Sequence, residues 1–174
     1  MRVTYGRQLS VKAHLDSDKI DNYLPMREEW VLDENGHPQY RVVPAVSNLI
    51  FIHSSQHDIT QLKMFRSEYT PLRYITNRFS HDFGDRLLTV PDRQMENFIH
   101  VASANNEKVK YLEYNPDFFA KPGRRVRITQ GPFKGAEGTV RRIKKQQCIV
   151  VEIKGFVAVA ITFVPSAWLE PIAE

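Results

Sequence analysis

The chain has 174 residues, which suits one medium domain or two small ones and excludes a large multidomain enzyme. Its content of 42% hydrophobic and 25% charged residues is typical of a globular protein with a buried core and excludes a disordered or fibrous chain. The net charge is +4, and residues 120–174 alone hold ten Lys or Arg against four acidic residues. This asymmetry predicts an anionic partner for the last third of the chain, most simply a nucleic acid, with a solvated basic face as the alternative on charge alone.

Residues 1–104 show alternating strand and helix signals. A short strand is predicted at 2–5, and a stripe of apolar residues predicts a helix over about 7–20. Two extended runs then flank the Asn35–Gly36 pair, which is the strongest short-range signal for a hairpin. The apolar, β-branched run 48–52 predicts a central strand.

Two further helices and one strand complete the prediction for this region. Apolar spacing between Ile59 and Phe65 indicates one helix, and residues 72–75 indicate a strand. The second helix is predicted to follow Thr89 as its cap, with Pro91 and Asp92 in its first turn. Strands and helices in this order predict an α+β fold in which helices flank an antiparallel sheet.

The last third of the chain has a different pattern. Residues 105–119 lack a sustained period and are predicted to be a linker. From residue 120 onward, short apolar runs recur every eight to twelve residues between Gly-rich and Lys-rich turns, which predicts a small β-barrel. Cys148 lies within one such run and is expected to be buried. The predicted domains are therefore 1–104 and 120–174, joined by the linker.

The segment KPGRRVRITQGPFKGAEGTVRRIKK, residues 121–145, resembles the KOW motif. It reads as a strand, a Gly-Pro turn with Phe133 packed beneath it, and a second strand. Gly135 and Gly138 stand where a positive φ or a close backbone approach is expected. The resemblance implies a small SH3-like β-barrel.

Five segments of residues 1–104 resemble, in order and spacing, the amino-terminal domain of the NusG family of transcription elongation factors. They are RVTYGRQLSVKAHLD, NYLPM, VPAVSNLIFIHS, PLRYITNR and TVPDRQMENFIHV. The resemblance is greater to the UpxY-like branch, the antiterminators of capsular polysaccharide operons. Two positions depart from the family pattern: the aromatic pair that usually opens the first strand is absent before Val3, and Ser47–Asn48 replace a Pro-Gly-Tyr sequence.

The NusG resemblance implies that the first domain binds the clamp helices of the largest RNA polymerase subunit and holds the clamp closed, which would favour processive transcription. By position, it implies six polymerase-binding residues: Tyr5, Arg7, Leu49, Phe51, Arg73 and Tyr74. Core packing is the alternative role for Leu49 and Phe51. We expect a monomer that needs no cofactor or metal.

For the second domain, the resemblance implies a tether. Relatives use this barrel to recruit a small-subunit ribosomal protein or the termination factor Rho, or to contact RNA. Six cations are the candidates for binding a partner or a nucleic acid: Arg124, Arg125, Arg141, Arg142, Lys144 and Lys145. The resemblance also implies that the hairpin around Asn35–Gly36 contacts DNA or a protein. The alternative function is that of a KOW-barrel protein that binds RNA or the ribosome.

An enzyme is not expected from this sequence. His53 and His57 have the spacing of a zinc helix, but the glutamate that should follow the first histidine is missing. Neither a nucleophile elbow nor a phosphate-binding loop nor a dinucleotide fingerprint occurs. No apolar run approaches the roughly 20 residues that span a bilayer, and the single cysteine fits a reducing compartment, so we expect a cytoplasmic protein with no membrane contact.

Overall fold

The computed structural model describes residues 1–76, 87–104, 107–112, 118, 120–121 and 123–172. The chain divides into two compact units, Met1–Thr89 and Val90–Glu174. Within the described ranges, no helix has the length and apolar character needed to cross a membrane.

The described residues of the first unit form six short strands and two helices. In chain order they are β1 (Arg2–Val3), α1 (Gln8–Ser17), β2 (Asn22–Tyr23), β3 (Met26–Leu32), β4 (Pro38–Pro44), β5 (Phe51–Ile52), α2 (Gln56–Phe65) and β6 (Leu72–Arg73). The strands form three antiparallel pairs, β1 with β6, β2 with β5, and β3 with β4. The antiparallel hairpin is present as predicted, but the described strands form three two-stranded ladders and not one sheet.

The prediction of a central strand at 48–52 is wrong in its extent. Only Phe51 and Ile52 are in a strand, where they pair with β2. Asn48 has a φ of 59°, a left-handed conformation that interrupts an extended run. Leu49 makes no more than an isolated bridge to Arg2.

The core of the first unit lies under α1, which buries Gln8, Val11 and Leu15. The buried apolar side chains of this cluster are Val3, Val11, Leu15, Leu24, Ile50, Tyr69 and Leu72. An ion pair lies at its rim, where Arg66 Nη1 is 2.5 Å from Asp18 Oδ2 and the Tyr69 hydroxyl donates to the same oxygen. These hydrogen bonds, from Arg66 first, hold the pKa of Asp18 below its ordinary value.

In the part of the second unit that the structure describes, there are one α-helix and six strands. They are α3 (Asp92–Ala102), β7 (Val109–Leu112), β8 (Arg125–Ile128), β9 (Glu137–Ile143), β10 (Gln146–Ile153), β11 (Val157–Thr162) and β12 (Leu169–Pro171). The strands form a six-stranded sheet in the order β12-β8-β9-β10-β11-β7, with antiparallel pairing throughout. The strands predicted within 120–174 are confirmed, and β12 adds to them.

The turn between β8 and β9 has the geometry predicted for its residues. Phe133 is buried beneath it. Gly135 has a φ of 91°, a left-handed conformation that favours glycine. A Cβ at Gly138 would lie 2.7 Å from the carbonyl oxygen of Val150, so this strand approaches its neighbour too closely for a side chain.

Helix α3 belongs to the second unit, whereas the sequence analysis placed it in the first domain. The helix packs on β10, and the side-chain amides of two of its residues form hydrogen bonds with the backbone of neighbouring strands. Asn97 Nδ2 donates to the Glu137 carbonyl oxygen at 2.8 Å, and Asn97 Oδ1 accepts from the Glu137 amide at 2.8 Å. Gln94 Nε2 donates to the Glu152 carbonyl oxygen at 3.1 Å. These long-range bonds join α3 to β9 and β10, and no local sequence pattern encodes them.

Two local predictions around α3 differ from the structure. The predicted Thr89 cap is wrong, because the helix begins at Asp92 with Pro91 at the N-cap position and no side chain in the capping role. Of the predicted linker, 107–112 and 118 are described, and Val109–Leu112 form β7, which pairs with β11. The rest of the predicted linker lies outside the described residues.

Candidate functional site

The end of β1 carries the most exposed of the predicted polymerase-binding residues. Tyr5 is 85% exposed and has a φ of 61°. The guanidinium carbon of Arg7 lies 5.9 Å from the centre of its ring, within range of a cation–π contact. Beneath them the buried amide of Gln8 donates to the carbonyl oxygens of Val46 at 2.8 Å and Leu49 at 3.1 Å. The backbone that presents Tyr5 and Arg7 is thus anchored to the segment before β5.

Leu49 and Phe51 do not share this exposure. Leu49 is 5% exposed and lies in the core, so the predicted role at an interface does not fit it. Phe51 is half-buried and pairs with Tyr23 across the β2–β5 ladder. Burial of Leu49 fits the core role that the sequence analysis left open for it, whereas the half-buried Phe51 is not among the buried core residues.

Arg73 and Tyr74 follow each other but are held differently. Arg73 is exposed and pairs with Arg2 across the β1–β6 ladder, while its Nη1 donates to the carbonyl oxygens of Thr70 and Leu72. Tyr74 is half-buried against α2, with its hydroxyl 2.8 Å from Thr60 Oγ1. In this antiparallel ladder Arg73 therefore lies opposite Arg2, at the end away from Tyr5 and Arg7.

The β3–β4 hairpin exposes an apolar face that the sequence analysis did not single out. Trp30 pairs with Tyr40, and their ring centroids are 5.4 Å apart. Leu32 and Val42 lie on the same face, because they are two residues away along each strand. All four side chains are more than half exposed. The alternation of apolar residues along both strands was the signal that could have revealed this face.

The predicted cations of the second unit fall into two groups. Arg124, Arg125, Arg142, Lys144 and Lys145 are exposed. Arg141 is half-buried: its guanidinium donates to the Lys121 carbonyl oxygen and lies 5.7 Å from the ring centre of Phe118.

The β9–β10 turn presents two of these cations at its tip. It consists of Lys144 and Lys145, which have φ angles of 47° and 68°. Two successive left-handed residues are the geometry of a type I′ turn, which ordinarily takes Asn and Gly. Both ammonium groups therefore stand at the tip of the hairpin, together with Arg142 on the adjoining strand.

A separate cluster of arginines surrounds Glu137, and the sequence analysis found only one of its three members. Glu137 Oε1 is 2.9 Å from Arg93 Nη2 and 2.7 Å from Arg127 Nη2, and Glu137 Oε2 is 3.6 Å from Arg125 Nη2. Arg127 first, and Arg93 after it, hold the pKa of Glu137 below its ordinary value. Arg93 lies on a different element from Arg125 and Arg127, so their convergence could not be found from sequence spacing.

The described residues contain no group of three His, Cys, Asp or Glu side chains suited to a metal ion. His53, one of the two histidines with zinc-helix spacing in the sequence, has its Nδ1 3.2 Å from Asp21 Oδ2. Cys148 is buried as predicted, and burial raises the pKa of its thiol.

Comparison with known proteins identifies one motif. Residues 122–157 match the family model of the KOW motif, which confirms the motif predicted from residues 121–145. No curated protein matches the chain. Among solved structures, the chain is similar to NusG of Thermotoga maritima, in a structure concerned with domain interaction in that protein. The sequence identity is 16%, the TM-score is 0.45, and the alignment covers 99% of this chain and 94% of that chain.

Proposed function

We propose that this protein is a NusG-like transcription elongation factor whose first unit binds the clamp helices of RNA polymerase and whose second unit serves as a tether. The KOW motif at 122–157 carries the proposal, because it is a match to a family model and is independent of the segments that resemble NusG in residues 1–104. Three predicted contact residues with exposed side chains, Tyr5, Arg7 and Arg73, support it.

The proposed action makes and breaks no covalent bond. A protein that binds the closed clamp more tightly than the open clamp shifts the population toward the closed state, from which pausing and termination are disfavoured. The segments similar to the UpxY-like branch extend the proposal to antitermination in a particular operon of the polysaccharide type. Such a factor acts in the cytoplasm, where polymerase transcribes, and requires neither a cofactor nor a metal.

In this proposal, Tyr5, Arg7 and Arg73 make the direct contacts with polymerase. Tyrosine and arginine are the residue types most often found at the energetic centres of protein interfaces. The half-buried Phe51 and Tyr74 would contribute edges of their rings and hold the neighbouring backbone. Leu49 is left out of the contact set because it is buried in the core.

The second unit would hold a further component of the machinery near the polymerase. The exposed Arg124, Arg142, Lys144 and Lys145 supply a cationic surface suited to RNA or DNA phosphates or to an acidic protein surface. A small-subunit ribosomal protein and Rho are the proposed protein partners. The same cations support the alternative that the chain is an RNA- or ribosome-binding protein that does not engage polymerase.

The test is binding of the full chain to core RNA polymerase, with Tyr5→Ala compared with Phe163→Ala. The two residues are matched, since both are exposed aromatics with a left-handed φ, but Phe163 lies in the second unit. We expect Tyr5→Ala to raise the dissociation constant at least about fivefold, because truncating an anchoring tyrosine costs more than about 1 kcal/mol. Phe163→Ala should leave it unchanged.

Circular dichroism of both variants verifies that they remain folded. Equal binding by the two variants and the wild type would contradict the assignment of Tyr5. If the wild-type chain does not bind polymerase but binds RNA more weakly as salt rises, the result favours the RNA-binding alternative over the elongation factor.

A further inference from the structure

A groove in the second unit lies between α3 and the strands beside it, with a volume of about 1090 Å³. From the helix it is lined by Arg93, Asn97 and His100, which are spaced by four and three residues and so lie on one side of the helix. From the sheet it is lined by Arg125 and Arg127, which alternate on β8 and therefore face the same way. Two elements distant in sequence thus bring basic side chains to one concave surface.

The side chains that line the groove carry an excess of positive charge. Its cations are Arg93, Arg125, Arg127, Lys134 and Lys154. Its carboxylates are Glu96, Glu137 and Glu152. Burial raises the pKa of the Glu152 carboxyl. A concave surface of one dominant sign concentrates ions of the opposite sign.

The N–H donors of the three arginines outnumber the lone-pair sites that Glu137 offers. One carboxylate has about four lone-pair sites, whereas three guanidinium groups carry about fifteen N–H donors. The side chain of Glu137 is 16% exposed, but those of Arg93, Arg125 and Arg127 are 81%, 45% and 44% exposed. The three guanidinium groups therefore converge on a largely buried anion and still present surface to the groove.

We propose that this groove binds a phosphate ester, with Arg93 and Arg127 as its principal ligands and Glu137 as the residue that positions them. The planar fork of arginine matches phosphate oxygens in pairs, so two guanidinium groups from opposite walls can clasp one phosphate group. Val150 and Val151 line the groove and lower the local polarity, which strengthens such contacts. The site is distinct from the exposed Lys144 and Lys145 at the hairpin tip, and it does not depend on the proposed function.

The experiment is calorimetric titration of the full chain at low ionic strength with three probes: inorganic pyrophosphate, ATP and a short single-stranded oligouridine. The test variants are Arg93→Gln and Arg127→Gln, and the control is Lys110→Gln. Lys110 is an exposed cation on β7 that does not line the groove. Since the Arg93 side chain is 81% exposed, its replacement leaves the fold intact, as melting curves of each variant can verify.

We expect at least one probe to bind and to be weakened about tenfold by each test variant and less than about twofold by the control. Pyrophosphate or ATP binding with this pattern identifies a free phosphate or nucleotide as the source of the ligand, and oligouridine binding identifies a nucleic-acid backbone. The proposal is overturned if no probe binds the wild-type chain, or if Lys110→Gln weakens binding as much as Arg93→Gln does.

Discussion

The two units hold their strands together in different ways. Two of the three ladders in the first unit, β1–β6 and β2–β5, are only two residues long, whereas six strands of the second unit share one antiparallel sheet. Isolated two-stranded ladders are marginal in water. The first unit therefore depends on other long-range contacts, of which the buried amide of Gln8 is the clearest.

This difference shows which interactions determine the structure of each unit. In the second unit, alternating β-branched residues and turn residues favour the same local structure that the sheet requires. In the first unit, chain segments about 40 residues apart are joined by single polar side chains. Removing one such side chain should damage the first unit more than removing one charge damages the second.

The largest effect is expected for Gln8→Leu. The substitution keeps an apolar side chain of similar size but leaves two carbonyl oxygens, those of Val46 and Leu49, without their donor. Each unsatisfied buried acceptor costs about 1–3 kcal/mol, so we expect the free energy of unfolding to fall by about 2–4 kcal/mol. Urea denaturation followed by circular dichroism measures it.

The matched control is Gln61→Leu, an exposed glutamine on α2. Its effect should stay within about 0.5 kcal/mol, as for most surface substitutions. A Gln8→Leu protein as stable as this control would show that the first unit does not depend on the bridging amide.

A smaller effect, with a defined pH dependence, is expected for Glu137→Gln in the second unit. Because Arg127 and Arg93 hold the pKa of Glu137 below its unfolded value, the ionised carboxylate stabilises the folded state above the ordinary glutamate pKa. That stabilisation is lost as the pH falls through the lowered pKa. The three arginine partners are well exposed, so solvent screening limits the loss at neutral pH to about 1 kcal/mol.

Urea denaturation of both proteins at neutral pH and near pH 3 measures this dependence. The stability difference between wild type and Glu137→Gln should be present at neutral pH and should shrink in acid. Glu96→Gln, at an exposed glutamate on the same groove, serves as the control and should show neither effect. A difference that stays constant with pH would mean that the charge of Glu137 does not stabilise the fold.

Local patterns were sufficient to predict the helices and most strands. They were not sufficient to predict the contacts between distant segments that hold these elements together. The Asn35–Gly36 hairpin and the strands of 120–174 follow from turn residues and alternation, which act over a few positions. The late start of β5 follows from the left-handed φ of Asn48. That conformation is understandable only from the bridge between Leu49 and Arg2 and from the hydrogen bond that Gln8 donates to the Leu49 carbonyl oxygen. These are contacts between distant segments, and a single sequence does not display them.

The candidate sites show the same limit. Tyr5, Arg7 and Arg73 are exposed, and their role as contact residues stays a prediction. The sequence alone could not tell whether Leu49 is buried or exposed, because it does not show which face of an apolar strand points into the core. The arginine cluster at Glu137 needs α3 to pack on β10, and the amphipathic pattern of the helix says which face is buried but not against which unit it packs.

The smallest effect is a gain in stability at the tip of the β9–β10 hairpin. Lys144 and Lys145 hold left-handed φ angles that cost a side-chain-bearing residue about 1–2 kcal/mol relative to the right-handed region, whereas Asn and Gly adopt them readily. We therefore expect the double substitution Lys144→Asn and Lys145→Gly to raise the free energy of unfolding by about 0.5–1 kcal/mol, after the greater entropy of glycine in the unfolded chain is deducted. Urea denaturation measures the gain.

Lys154→Asn is the control, because Lys154 is exposed and lies outside the left-handed region. The same double variant should bind a nucleic-acid probe more weakly and with a shallower salt dependence, since two cations are removed. A gain in stability combined with a loss of binding would mean that the two lysines lower the stability of the turn but are needed for binding, as expected of a contact surface. If stability rises and binding is unchanged, the tip is not a nucleic-acid contact, and the cationic surface of the second unit is confined to its remaining arginines.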